Sequence, residues 1–243
     1  MDNTYKLPVA NERLNQKVNL DWLILCLKEY HIPNALSVIQ GLTTPQTKIV
    51  VIRNGLDHLV PFKKLFPKND MAACLINCAI EPNKNGYIQK SNAKLILNDS
   101  KLSNEFVSLF KENQIEIELS SDFKTAVWKK LIESSAIGGL TAITLNTLSI
   151  FSNPHYLHLY KELIKEGIDV AIADGAEIDD GFLIELLLKL ETYPQDKGSS
   201  MLTDRLLGRP IELNAKNGCI VQKGIELNIE VPIHARVVLA LTN

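Results

Sequence analysis

Between residues 20 and 120 the sequence switches repeatedly between short apolar runs and helical periodicity, and beyond residue 120 the short runs stop. That asymmetry constrains the fold more than any other feature. Residues 20–27 (LDWLILCL, ending at Lys28), 48–52 (KIVVI) and 71–80 read as buried strands, and 115–119 (IEIEL) alternates as a half-buried strand does. Helical patterns separate them at 33–41, 57–66 and 102–111, with Gly41 placed to end the first as its C′ residue and Pro67 to stop the second. Residues 87–89 and 94–97 pattern as a hairpin around polar turn residues. Strand and helix in alternation predict a mainly parallel sheet with helices on its faces.

After Asp122 every pattern is helical: 154–173 with Pro154 in its first turn, then 182–193, 199–207, 215–227 and 234–241. The expected organisation is therefore an α/β part over residues 1–120, followed by an all-α domain over 121–243. With 243 residues, 46% apolar and 22% charged, the chain has the composition of a soluble globular protein. Its net charge of −2 and scattered lysines give no basic stripe for nucleic acid. Residues 1–13 lack the basic and apolar regions of a signal peptide, and no apolar run is long enough to span a membrane. A cytoplasmic location is expected. Cys26, Cys74, Cys78 and Cys219 form no metal-ligand pattern and read as buried reduced thiols, while His155 and His158 read as surface or cap residues.

Two stretches carry chemistry. In the helix expected to begin at Asp122, residues Lys130, Ser134 and Gly138 share one stripe, in the order cation, small hydroxyl, no side chain. A solvated lysine on an amphipathic helix is one reading. A cleft lysine that protonates a developing alkoxide is the other. The second stretch, 199–212 (SSMLTDRLLGRPIE), places Ser200 at the expected N-cap of a short helix and Glu212 after an Arg-Pro break that would expose it. Cap and solvated carboxylate explain both. Brought near a helix lysine, they would instead make a compact polar site for a hydroxylated 2-oxo acid.

The segments LCLK at 25–28, IRNGL at 52–56, VWKKL at 127–131, GLTAI at 139–143, SSMLTD with RPIE at 199–212, NG at 217–218 and VP at 231–232 occur in an order that resembles the ketopantoate reductase family, the 2-dehydropantoate 2-reductases. The resemblance covers nearly the whole chain. It implies NADPH-dependent reduction of a 2-oxo acid to the 2-hydroxy acid in pantothenate biosynthesis, on an incomplete Rossmann-like fold with a helical C-terminal domain. By that likeness Lys130 is the general acid. Asn54, Ser134, Ser200 and Glu212 bind substrate, while Lys28, Asn54 and Glu212 lie near the cofactor. A homodimer through the helical half is also implied.

The chain departs from the family pattern in three places. The family commonly carries asparagines four and eight residues after the lysine, where this chain has Ser134 and Gly138. The third departure is the glycine fingerprint G-x-G-x-x-G, which lies upstream of LCLK in the family and which none of the twelve glycines here forms. The expectation is a sheet that lacks its first βαβ unit. The alternative to an enzyme is a truncated, non-catalytic homologue acting as a small-acid-binding or oligomerisation module.

Overall fold

The computed structural model describes residues 19–83, 86–110 and 115–242. The N-terminal reading of residues 1–13 and the expected helix end at Lys111 lie outside them. Three short strands open the fold, β1 (Trp22–Leu25), β2 (Lys48–Ile52) and β3 (Met71–Asn77), all parallel. A separate two-stranded ladder follows, β4 (Ile80–Asn83) with β5 (Gly86–Gln89). Then β6 (Lys94–Asn98) pairs antiparallel with β3, and β7 (Glu116–Ser120) pairs parallel with β6. The result is a five-stranded, mostly parallel sheet in the order β1-β2-β3-β6-β7.

The KIVVI run explains the centre of that sheet. Ile49 and Val51 turn to one face, against Ile32 and Ile39 of helix α1 (Ile32–Leu42) and Phe62 of the short helix α2 (Val60–Lys63). Val50 turns to the other, against Phe106 of helix α3 (Lys101–Val107) and Leu97 of β6. A strand covered on both faces needs continuous apolar residues, which is what a parallel sheet with helices on both sides demands. At the β7 edge, Glu116 and Glu118 each lie 2.8 Å from Lys94, an outward charged row that discourages further strand pairing.

Three local readings need correction. Residues 87–89 and 94–97 are not hairpin partners. Leu95 and Leu97 are buried and belong on the sheet face, so the 94–98 strand pairs with β3, while the exposed 86–89 strand pairs with 80–83. The helix expected over 57–66 shrinks to α2, because Asp57 adopts a left-handed φ of 51° and Pro61 fits only a first turn. Gly41 lies within α1, not beyond it. Thr43 ends that helix, donating its hydroxyl to the Ile39 carbonyl at 3.0 Å, so no left-handed glycine is required.

The C-terminal region is helical, as expected. Helix α4 (Phe123–Thr144) starts at Asp122, whose carboxylate accepts from Thr125 N at 3.0 Å. It runs roughly 33 Å at 1.5 Å per residue, and α5 (Pro154–Ala173), α6 (Phe182–Thr192), α7 (Ser200–Leu206), α8 (Cys219–Leu227) and α9 (Pro232–Thr242) follow it. Trp128, Leu131 and Ile132 of α4 are fully buried with Leu163, Ile164 and Val170 of α5 in one core. Residues 215–227 are not one continuous α-helix. A single π-helical turn, Asn214–Gly218, precedes α8. Of the four free cysteines only Cys74 is buried, and Cys26 is exposed, so the uniform burial expected of them is corrected. His155 and His158 are exposed on α5.

Candidate active site

The helix α4 carries its two informative residues on different sides. Trp128 points into the core and donates its indole N–H to Asp174 at 3.0 Å. Lys130, two residues on and about 200° around the helix, points to the end of the sheet, where its amine donates to the Ile76 carbonyl at 2.5 Å. Ile76 is the penultimate residue of β3. Lys130 thus stands at the carboxyl ends of the parallel strands, the place where open α/β sheets hold ligands. Burial, and then the positive charge of Lys216, pulls its pKa down to about 8. Glu212 works in the opposite direction. The solvated-lysine reading is therefore set aside.

Glu212 is not the exposed loop carboxylate its sequence context suggested. It is buried, accepting from Asn54 Nδ2 at 3.0 Å and, at a longer 3.4 Å, from the backbone N–H of Glu29. The Arg-Pro break folds the chain back against the sheet instead of releasing it to solvent. Asn54 reaches Glu212 from the turn after β2, and the next residue makes that turn possible. Gly55 has φ of 90°, and a Cβ placed on it would stand 2.6 Å from the Ala215 carbonyl oxygen. Alanine at position 55 is accordingly expected to lower unfolding stability by about 1–3 kcal/mol, seen as a lower urea midpoint with an unchanged slope.

Ser200 also differs from its expected role. The N-cap of α7 is Ser199, whose hydroxyl accepts from Leu202 N at 3.0 Å and shares a 2.7 Å hydrogen bond with Thr141. That leaves the Ser200 hydroxyl free for the site, where it accepts from Lys216 Nζ at 3.1 Å. Ser134 bonds weakly to the Leu131 carbonyl, at 3.3 Å. Lys28, just after β1, sits 2.5 Å from Asp204 of α7. Burial opposes its charge, and Asp204 more than offsets this, so its pKa is raised.

The structure thus brings Asn54 and Glu212 into direct contact. It also puts Ser200, through Lys216, beside the Lys130 stripe. Lys28 joins the same junction through Asp204, not through Glu212 or Asn54. Two participants, Lys216 and Asp204, were missed as site residues although both lie within or beside quoted motifs. The available signal was a lysine four residues after Glu212, at the start of a segment read only as a helix. A cavity of about 320 Å³ lined by Asp57, His58, Lys124, Asp174 and Lys223 includes none of the predicted site residues.

Comparison with known proteins gives this junction a lineage. Residues 2–99 match the family described as Ketopantoate reductase PanE/ApbA, and residues 122–243 match Ketopantoate reductase PanE/ApbA C terminal. The chain belongs to the ketopantoate reductase family. A 2-dehydropantoate 2-reductase of Caulobacter vibrioides is 27% identical over 223 residues, covering 91% of this chain and 77% of the relative. Among solved structures, a dimeric ketopantoate reductase from Staphylococcus aureus superposes with a TM-score of 0.84 at 23% identity, over 91% of this chain and 76% of that one. A D-mandelate dehydrogenase in ternary complex with NADH and anilino(oxo)acetate superposes at 0.83 with 17% identity, over 94% and 77% of the two chains. At those identities the structural likeness shows a shared fold. The ketopantoate reductase assignment rests on the two family matches, which between them take in strands β1 to β6, the Lys130 helix and the Glu212 segment.

Proposed function

We propose that this chain reduces 2-dehydropantoate, or a related 2-oxo acid, to the 2-hydroxy acid with NADPH, in pantothenate biosynthesis. The observation that carries the reading is the Lys130 amine, half-buried at the carboxyl ends of the strands with its pKa near 8. A non-catalytic module is not favoured, because such a module has no need of a lysine kept poised in this way. The two parts take different tasks, residues 1–120 holding the cofactor and 121–243 supplying the acid and the substrate pocket.

The fit to a nicotinamide dinucleotide is limited to one end of that molecule. The ends of β1 and β2 bring Lys28 and Asn54 to the cleft that holds Lys130, with Glu212 behind Asn54. No glycine-rich turn suited to a pyrophosphate occurs among the described residues. When bound, NADPH supplies the hydride that C2 of the substrate receives. Lys130 orients the carbonyl, stabilises negative charge on its oxygen and gives that oxygen a proton, leaving a neutral amine that solvent reprotonates. Glu212 accepts the substrate hydroxyl and fixes Asn54, while Ser134 and Ser200 offer hydroxyls to the polar groups of the acid.

Assembly as a homodimer and a cytoplasmic location belong to the same proposal. On α6 the apolar side chains of Ile184 and Leu188, one turn apart, are 61% and 60% exposed, which suits a covered face. Among the described residues no helix is long and apolar enough to cross a membrane.

The test is loss of NADPH absorbance on mixing the protein with 2-dehydropantoate, repeated across pH. Lys130 must be protonated to act, and it is protonated below about pH 8. Turnover is therefore expected to be level at lower pH and to fall above about 8, by tenfold per unit once well past it. A rate that holds steady to pH 10 would remove Lys130 from the role of acid.

A further inference from the structure

Lys216 has no part in the mechanism above, yet it is the most deeply buried cation of the site. Its residue is 3% exposed, in the π-helical turn Asn214–Gly218, and turns of that kind are frequent at functional sites. The amine donates to Ser200 Oγ at 3.1 Å. Among the described residues no carboxylate lies within the 4.0 Å of an ion pair from it. An ammonium has three donors, so a buried lysine bonded to one hydroxyl leaves two of them without a matched acceptor. Burial pushes its pKa down, and Glu212 and Asp204 act against that from further off. The group is arranged as half of a pair.

Its position relative to α4 shows where the other half would stand. A Cβ placed on Gly138 would lie 3.6 Å from Lys216 Nζ and 2.8 Å from Met201 Sδ. The stripe that begins with Lys130 and passes Ser134 is therefore completed at its third position by the Lys216 amine, reaching in from another segment. Any side chain at 138 would have to displace Met201 and crowd that amine. The absence of a side chain at 138 and the presence of a lysine at 216 are thus one feature of the site.

We propose that Lys216, with Ser200, receives the carboxylate of the 2-oxo acid, so that this site selects its substrate by charge at the position where an amide side chain on the helix would select by neutral hydrogen bonding. Lys130 then serves the carbonyl oxygen and Lys216 the neighbouring carboxylate. Two cations on one stripe suit the two adjacent functional groups of a 2-oxo acid, and Ser200, an exposed residue, marks the entry side. A charge-assisted bond to a carboxylate engages the amine's further donors and offsets the cost of burying its charge. This rests on the reading of the cleft as a 2-oxo acid site, but not on hydride transfer.

The test measures binding by titration calorimetry, without cofactor, of 2-oxoisovalerate and of its methyl ester, which differ only at the carboxyl group, by its charge and one methyl, the Lys216→Met variant isolating the charge. The wild type is expected to bind the acid at least tenfold more tightly than the ester. Lys216→Met is expected to lose at least tenfold in affinity for the acid and to bind acid and ester alike. Replacing a buried charge by an apolar side chain of similar size tends to keep stability, and an unchanged urea midpoint confirms that the variant is folded. Equal affinity for acid and ester in the wild type, or a preserved preference in Lys216→Met, overturns the proposal. If the acid is preferred through Lys216 but NADPH is not consumed, the reductase reading fails and this one stands. If NADPH is consumed and Lys216→Met leaves the KM for the acid unchanged, the reductase reading stands and this one fails.

Discussion

Alanine at position 130 is expected to lower kcat for 2-oxo acid reduction by about 10²–10⁴-fold, the range that general acid catalysis supplies. Affinity for NADPH is expected to stay within a few fold, since the amine bonds to the Ile76 carbonyl at the strand end and not to a group that shapes the Asn54–Glu212 contact. Both quantities come from one preparation, kcat from NADPH absorbance and cofactor affinity from NADPH fluorescence. Arginine at the same place keeps the charge but holds its proton too tightly to donate it. Lys130→Arg is thus expected to retain substrate binding and still turn over slowly. Turnover close to wild type in the alanine variant would show that the proton comes from elsewhere.

The second large effect concerns stability. Trp128 has no measurable exposure and packs in the core that joins α4 to α5. Trp128→Ala removes a large buried side chain and leaves a cavity, which costs about 3–5 kcal/mol. A typical domain has about 5–15 kcal/mol in all, so this one change takes a large share. Trp128→Phe separates two contributions. It keeps most of the packing and removes the indole bond to Asp174, which still has Lys124 and Lys223 nearby. The expected loss for phenylalanine is about 1 kcal/mol beyond the change in volume. Urea midpoints measure both. Because Trp128 fixes the rotation of α4 about its axis, and Lys130 sits two residues on, Trp128→Ala is also expected to reduce turnover at temperatures where it remains folded.

The elements that were legible in the sequence are those decided by local pattern. KIVVI is buried on both faces wherever it sits in a parallel sheet, and α5 has Pro154 in its first turn and a continuous apolar stripe up to Ala173. The misread elements are those decided by distant partners. Ser199 and Ser200 are equivalent in sequence as caps. The Ser199 hydroxyl takes the cap by accepting from Leu202 N, and its 2.7 Å bond to Thr141, fifty-eight residues away, holds it there and leaves Ser200 to the site. Glu212 looked exposed because Arg209 and Pro210 precede it, and it is buried because Asn54 meets it from the turn after β2. Likewise Leu95 and Leu97 chose β3 over the nearer strand for the sake of burial in the sheet.

The family likeness pointed to Lys130, Asn54, Ser200 and Glu212; in the structure Asn54 meets Glu212, and Ser200 bonds to Lys216, which reaches the Lys130 stripe. That likeness did not single out Lys216, which lies between the quoted RPIE and NG motifs and belongs to neither. Gly138 was visible as a missing side chain. That Lys216 occupies its space depends on the π-helical turn before α8, whose extra residue has no mark in the local pattern.

Passage of a hydride from NADPH to C2 of a 2-oxo acid in this cleft is read from isotope transfer. The protein is incubated with 2-dehydropantoate and NADPH carrying deuterium at both C4 positions, and the acid is recovered for mass spectrometry and proton NMR. The expected product is pantoate with one deuterium at C2, formed in step with NADP⁺ and about a hundredfold or more slower when Lys130 is alanine. Recovery of unreduced 2-dehydropantoate beside intact NADPH, or of pantoate with hydrogen from solvent at C2, would contradict it.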